Sequence, residues 1–427
     1  MKVSILEIRI GDTHVGHLFK YGDIVRLRVA PAFAEDPVAP IISLSLIAGQ
    51  QGLQAAFLLD PFNPALNSLG SGKLPAFFQN LLPEGLLRTH IAQERGCAED
   101  DYFELLAACG ADLPGNVYAL PAHDPGLVTE LVTQHHDAVE MSIVADPLED
   151  GVSLSGMQPK LALIRDGGRF AVGRHLGCGH VIGKLPTPMY ELLPEVEHLS
   201  LRLARAAGAD VCNATLEPMS LINAEQHFWP GTAERFLAVE RFDRDQPGRV
   251  HVEDFAQVFG LDPGRKYVGA SYADVARVLL FIQTIGETGV HELMRRIAIN
   301  ELLGNMDCHL KNIGLLHYAD RRIGLAPAYD IVAYCVFRKG LGHALRFTGD
   351  GGKRAILDAK TLRAFAAAAG VTEEPLRRVV KQVCEAALDT WPAMIADSEM
   401  HPAQQARLDD FFRQRPMIQS LLRRRRR

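Results

Sequence analysis

The chain has 427 residues, 48% of them hydrophobic and 22% charged, a balance that excludes a mainly disordered chain, a collagen or a coiled-coil rod. Acidic side chains number 51 against 45 basic ones, giving a net charge of -6, so a uniformly basic nucleic-acid coat is excluded while a local basic patch is not. The seven cysteines are scattered, with no CxxC pair, which argues against a disulfide framework or a structural zinc site. No stretch has a signal-peptide layout or a membrane-spanning apolar run, and the expectation is a cytoplasmic protein without a membrane partner.

In chain order, Val3–Ile10 and Ile24–Val29 alternate as half-buried strands do. Pro75 to Asn80 lead into helical material over Leu81–Arg88, and Asp100 or Asp101 can cap a helix over Tyr102–Ala108. The glycines from Gly110 to Gly115 break that helix before a strand at Val117–Leu120. Residues 1–122 therefore read as an α+β module, and the polar, poorly periodic stretch 123–149 as a linker. Residues 150–240 are β-rich, with strands at Lys160–Ile164, Phe170–Val172, His180–Leu185 and Phe236–Val239 around one amphipathic helix, Val196–Ala207. Residues 241–427 turn helical, over 273–284, 290–303, 355–369, 374–394 and 404–413, and end in an arginine-rich tail. A β-rich part followed by a helical part is the outline of a two-lobed enzyme, which by itself names no chemistry.

Chemistry is carried by Asn305-Met306-Asp307-Cys308-His309-Leu310-Lys311-Asn312, with Asp330 eighteen residues further on in Ala328-Tyr329-Asp330-Ile331. Phosphoryl transfer to a hydroxyl needs one carboxylate to orient the hydroxyl and accept its proton, and an amide oxygen with a second carboxylate to hold magnesium against nucleotide phosphates. Asp307, Asn312 and Asp330 supply that set, and Lys311 can neutralise the transferring phosphoryl group. Upstream, Lys184 ends an apolar strand and Glu197 opens the next helix, the strand-lysine and helix-glutamate pattern by which kinases align phosphates. No GxGxxG loop precedes Lys184; the single-glycine turn Val152-Ser153-Leu154-Ser155-Gly156-Met157-Gln158-Pro159-Lys160 stands there instead.

These motifs, together with Ile182-x-Lys184-Leu185-Pro186, Glu240-Arg241-Phe242-Asp243, Asn80-Leu81-Leu82-Pro83-Glu84 and Asp112-Leu113-Pro114-Gly115, resemble in order those of the HipA family, the serine/threonine-kinase toxins of bacterial type II toxin–antitoxin modules. The resemblance implies an α+β, two-lobed protein-kinase-like fold with an extra N-terminal α+β module and an all-helical C-terminal lobe. It implies ATP and Mg2+ as cofactors, Asp307 as the base, Asn312 and Asp330 as metal ligands, and Lys184 as the phosphate lysine. Glu240 and Phe242 would lie at the adenine, with Ser155, Gly156, Lys160 and His309 also at the nucleotide and with Glu197 and Gln158 in support. Ser153, with Ser155 beside it, matches the family's autophosphorylated loop serine, where a phosphate's added charge switches the kinase off. Pro159 and Cys308 depart from the family's usual residues. The implied partners are a HipB-like helix-turn-helix antitoxin, operator DNA mainly through that antitoxin, and a protein substrate, an aminoacyl-tRNA synthetase. The rival readings are a catalytically weak, DNA-bound corepressor and a small-molecule kinase.

Three further features carry less. The run Arg423–Arg427 attracts phosphates but offers no base-reading surface. Cys178-Gly179-His180 lacks the second ligand pair a zinc site needs, and His135-His136 read as solvated.

Overall fold

The computed structural model describes the chain apart from residues 1, 51, 69, 123–125, 128–139, 143, 149–157, 173–178, 224–233, 245–247, 341 and 426–427. The chain forms two compact units, both discontinuous in sequence: residues 1–180, 243–263 and 316–321 in the first, and residues 181–242, 264–315 and 322–427 in the second.

The first unit is built on strands β1 (Lys2–Ile10), β2 (Thr13–Tyr21), β3 (Ile24–Val29), β4 (Val117–Pro121) and β5 (Glu140–Ser142). Their order is β3-β2-β1-β4, antiparallel, with β5 running parallel beside the start of β1. Alternation along β1 sends Leu6, Ile8 and Ile10 into the main core, while Val3 and Ile5 join Phe19 and Ala122 on the other face. Strand β2 escaped the sequence reading. The stretch read as linker holds β5 and the buried Val144 among its described residues. The helix expected from Leu81 starts at Gly85, behind Pro83, and runs to Arg95. Asp101 caps the helix Tyr102–Cys109, its side chain accepting from the Glu104 amide.

Polar side chains fasten residues 243–261 and 317 into this unit. The Arg244 guanidinium donates to Asp112 at 2.7 Å and to the Leu113 and Gly115 carbonyls at 2.9 Å, and the Gly115 amide donates to Asp243 at 2.8 Å. The Asn80 amide donates to the Leu261 carbonyl at 2.7 Å. Glu253, fully buried, accepts from the Ser43 hydroxyl and from His317 Nε2, both at 2.7 Å, and from the Leu44 amide at 3.2 Å. His251 Nε2 donates to the Ile42 carbonyl at 2.8 Å, and its ring lies 5.2 Å from that of His317. The two N-terminal motifs, Asn80–Glu84 and Asp112–Gly115, thus act as receptors for a segment from the middle of the chain.

In the second unit, the strand Val181–Lys184 pairs with Arg235–Glu240, which pairs on its other side with Ala214–Pro218, all antiparallel. The helix Leu193–Ala206 buries Val196, Leu199 and Leu203. Trp391, in the helix Glu373–Ala396, donates its indole N–H to the Leu203 carbonyl at 3.0 Å. The helices Tyr272–Phe281, Gly286–Leu303, Ala359–Ala369 and Pro402–Arg413 complete a mainly helical region, and Pro416–Arg425 carries the start of the arginine run as helix. Gly304 ends Gly286–Leu303 at φ 60°, where a Cβ would come within 2.9 Å of Cys335 and Phe411, so both the left-handed turn and the close packing call for glycine. Six cysteines among the described residues are free, and no helix there is long and apolar enough to cross a membrane.

Burial against His317 holds His251 neutral down to about 4. The unfolded chain takes up that proton near about 6.5, so in between the unfolded state binds more protons and stability falls as the pH falls. Urea unfolding at pH 7 and 4.5 should show His251→Gln losing about 2 kcal/mol less over that interval than the parent. Equal losses would show that His251 titrates alike in both states.

Candidate active site

The candidate site is assembled within the second unit. Lys184 leaves its strand at the position opposite Leu237 and is buried. Its ammonium donates to Glu197 Oε1 and, at 2.5 Å, to Asp330 Oδ1. Burial alone would lower its pKa; Asp330 and then Glu197 reverse that and leave it raised, so the group is a fixed cation. Glu197 reaches it from the helix Leu193–Ala206, and one turn further along the same helix Ser200 accepts from the Ala333 amide at 2.9 Å. The helix thereby holds the segment after Asp330 as well as the lysine.

Asp330 sits at φ 58°, a left-handed conformation uncommon for a side chain other than glycine and one that recurs at functional sites. Its neighbours are tied on both sides. The Ala328 amide donates to the Asp210 carbonyl at 2.8 Å, and the Tyr329 hydroxyl to the Lys311 carbonyl at 2.7 Å. The Tyr329 ring lies 5.5 Å from that of Phe242.

Beyond Gly304 the chain is a ladder of side-chain turns. Asn305 donates its side-chain amide to Asn300 Oδ1 at 3.0 Å and accepts from the Asp307 amide at 3.1 Å. The Asp307 carbonyl accepts from the His309 amide at 2.8 Å and from Asn312 Nδ2 at 3.1 Å. With its nitrogen committed there, Asn312 keeps its amide oxygen as an acceptor. The Asp307 carboxylate is half-buried, and burial raises its pKa; the Tyr267 hydroxyl, donating to Oδ1 at 2.7 Å, works against this, and the charge of Asp330 adds to it. His309 and Lys311 are buried, with the His309 ring edge-on to Tyr267 at 4.9 Å. Asn312 and Asp330 offer hard oxygen donors, the kind magnesium prefers. Among the described residues no cluster of three histidine, cysteine, aspartate or glutamate side chains suggests another metal site.

Of the other residues singled out, Glu240 ends its strand exposed, accepting from Asn213 Nδ2 at 3.0 Å. Gln158 and Lys160 belong to the first unit, where the Lys160 ammonium donates to the Gln158 carbonyl at 3.4 Å. Ser153, Ser155 and Gly156 lie outside the described residues, as do Cys178, His135 and His136. Sequence reasoning missed Ser200 and Tyr267. A serine in mid-helix and a tyrosine forty residues before Asp307 leave no local signal.

Residues 6–120 match the HipA N-terminal domain and residues 152–391 the HipA-like C-terminal domain. The chain belongs to the HipA family. It is 32% identical over 399 residues to a putative kinase, Y4dM, of Sinorhizobium fredii, an alignment covering 92% of each chain. It is 26% identical over 362 residues to the serine/threonine-protein kinase toxin HipA of Shewanella oneidensis, covering 78% of this chain and 76% of that one. The HipA chain in the solved complex of Shewanella oneidensis HipA and HipB with operator DNA has the same fold, with a TM-score of 0.68 at 21% identity over 98% of this chain and 97% of that chain. The chain is accordingly a kinase of HipA type, and its kinase relatives imply, in general terms, use of a nucleotide and a metal ion.

Because Glu197 is almost wholly enclosed, removing the ammonium leaves a buried negative charge uncompensated. Lys184→Met should cost the second unit on the order of 3 kcal/mol at neutral pH. Urea unfolding followed by tryptophan fluorescence measures this cost, and parental stability in Lys184→Met would show that Glu197 does not depend on the ammonium.

Proposed function

We propose that this chain is an ATP- and Mg2+-dependent serine/threonine protein kinase of the toxin type. The observation that supports it most is the buried ammonium of Lys184 held between Glu197 and Asp330, in the same unit as the Asp307–Asn312 loop. In this reading Lys184 is kept charged and aimed at the nucleotide phosphates. Asn312 and Asp330 would hold Mg2+, which when bound would neutralise phosphate charge. Asp307 takes the proton of the acceptor hydroxyl, and its raised affinity for a proton suits that task. Lys311 lies beside the transferring phosphoryl group with His309 near the nucleotide, while Glu240 and Phe242 border the adenine.

Control in this reading lies in the loop motif that carries Ser153, Ser155 and Gly156. Phosphorylation of either serine adds charge to a segment that must lie over phosphates, and so switches the enzyme off. The relative solved with HipB and operator DNA supports a HipB-like antitoxin as partner and DNA contact through it. The acceptor is a protein, with an aminoacyl-tRNA synthetase as the first candidate; the cytoplasm is the proposed place of action.

The test is transfer of labelled γ-phosphate from ATP with Mg2+, first to the purified chain and then to a cell lysate. The parent should gain one or two phosphates at Ser153 or Ser155 and label a protein acceptor. Asp307→Asn should lose about 10²–10⁴-fold in rate with its fold intact, because only the proton acceptor is removed. Transfer by Asp307→Asn at the parental rate would exclude Asp307 as the base. Labelling of small molecules alone would favour a small-molecule kinase.

A further inference from the structure

Tyr267 belongs to none of the motifs, yet it is the side chain that donates to the Asp307 carboxylate, from its hydroxyl to Oδ1 at 2.7 Å. It arrives on the exposed stretch that leads into the helix Tyr272–Phe281. The main chain of that stretch is fastened: the Lys266 carbonyl accepts from the Leu310 amide at 3.2 Å, and the Arg265 carbonyl from the Val268 and Gly269 amides at 3.0 and 2.8 Å. The phenol itself is not enclosed. Tyr267 is 36% exposed and its neighbour Val268 56%, although a tyrosine placed for packing alone would be buried. The ring is steered by the edge of His309 at 4.9 Å, with the Lys266 ammonium 5.7 Å from its centre.

An O–H group donating to a carboxylate oxygen at this distance is what an acceptor serine, threonine or water must present to the same atom before its proton can be taken. We propose that Tyr267 is a gate on the base: its phenol stands where the acceptor hydroxyl binds, and a proper acceptor must displace it. This rests on the reading of Asp307 as the base. The gate costs the closed enzyme nothing in solvation, because a charged acceptor keeps a charge-assisted hydrogen bond throughout. It keeps out water, a small acceptor whose oxygen could attack the γ-phosphorus. That attack would break the bond to the β–γ bridging oxygen, pass a proton to Asp307 and release ADP and inorganic phosphate. A protein acceptor brings further contacts that offset the lost phenol bond, whereas water brings none. Tyr267 is therefore a positioning and selectivity residue, acting through Asp307.

The experiment is steady-state ADP release by the full chain carrying Ser153→Ala/Ser155→Ala, which serves as the parent, with ATP and Mg2+ and no protein acceptor, so that the loop cannot be phosphorylated and switched off and water is the only acceptor. Tyr267→Phe keeps the ring and removes the hydroxyl. It should raise kcat for hydrolysis about fivefold to tenfold with KM for ATP unchanged, as expected when one charge-assisted hydrogen bond stops competing. Tyr267→Leu, which removes the ring as well, should move the same way, and Tyr267→Phe/Asp307→Asn should return to background. A purely structural role predicts the opposite, a lower kcat. Hydrolysis by Tyr267→Phe at or below the parental rate would overturn the gate. If that happens while Asp307→Asn is inactive, the base assignment stands and the gate alone fails; if Asp307→Asn keeps the parental rate of transfer, the base assignment itself is at fault.

Discussion

One buried ammonium with two carboxylates is the constraint on which the second unit's site depends. Lys184 comes from a strand, Glu197 from the helix that follows it, and Asp330 from a stretch 146 residues after Lys184. Lys184 and Glu197 are taken out of water while Asp330 stays partly exposed, and burying the first two is costly unless each charge is satisfied by the others. The arrangement therefore tolerates little slippage of strand, helix or loop. Asp330 also carries a left-handed backbone, which persists only where the surroundings overdetermine it. The ties at Ala328, Tyr329 and Ala333 do that on either side of it.

The loop at 305–312 is held by a different device. It contains almost no regular secondary structure, and its shape comes from short polar side chains that bond to nearby backbone. Asn300, Asn305 and Asn312 each donate or accept in a way fixed by the next. The amide oxygen of Asn312 and the carboxylate of Asp307 are set by the same few hydrogen bonds. Rigid polar scaffolding of this kind suits chemistry in which positioning and electrostatics do most of the work. The family relationship and this geometry point the same way, although they are independent: one compares sequences, the other rests on hydrogen bonds within a single chain.

Much of this was legible in the sequence, and the reasons differ by element. Strands β1 and β3 and the helices Leu193–Ala206 and Glu373–Ala396 announce themselves because one apolar face at a fixed period has one structural meaning. Strand β2 hid because its polar residues His14, His17 and Lys20 interrupt the apolar ones. The pairing of Lys184 with Glu197 could be anticipated, since strand end and helix start are close in sequence. The bond from Lys184 to Asp330, the link from Ser200 to Ala333 and the contact of Tyr267 with Asp307 could not. They are long-range, and a lone serine or tyrosine has no spacing to betray it. The N-terminal motifs show the same limit: Asn80 and Asp112 stood out, but nothing local said that they receive Leu261 and Arg244.

That last relation bears on how the chain can be divided. Residues 1–122 have the strands and the apolar core of a module, and taken alone they look self-sufficient. In the fold, however, the first unit is completed by residues 243–263 and 316–321. Arg244 is sheathed by the carboxylates of Asp112 and Asp243, and Glu253 by Ser43, Leu44 and His317. Without the later segments, the Ile42 carbonyl loses His251 and the Leu44 amide loses Glu253. Buried polar groups left without partners cost about 1–3 kcal/mol each, comparable with the margin by which a small domain is stable. The N-terminal unit is therefore finished only when the chain has been made as far as residue 321, after the whole Asp307–Asn312 loop.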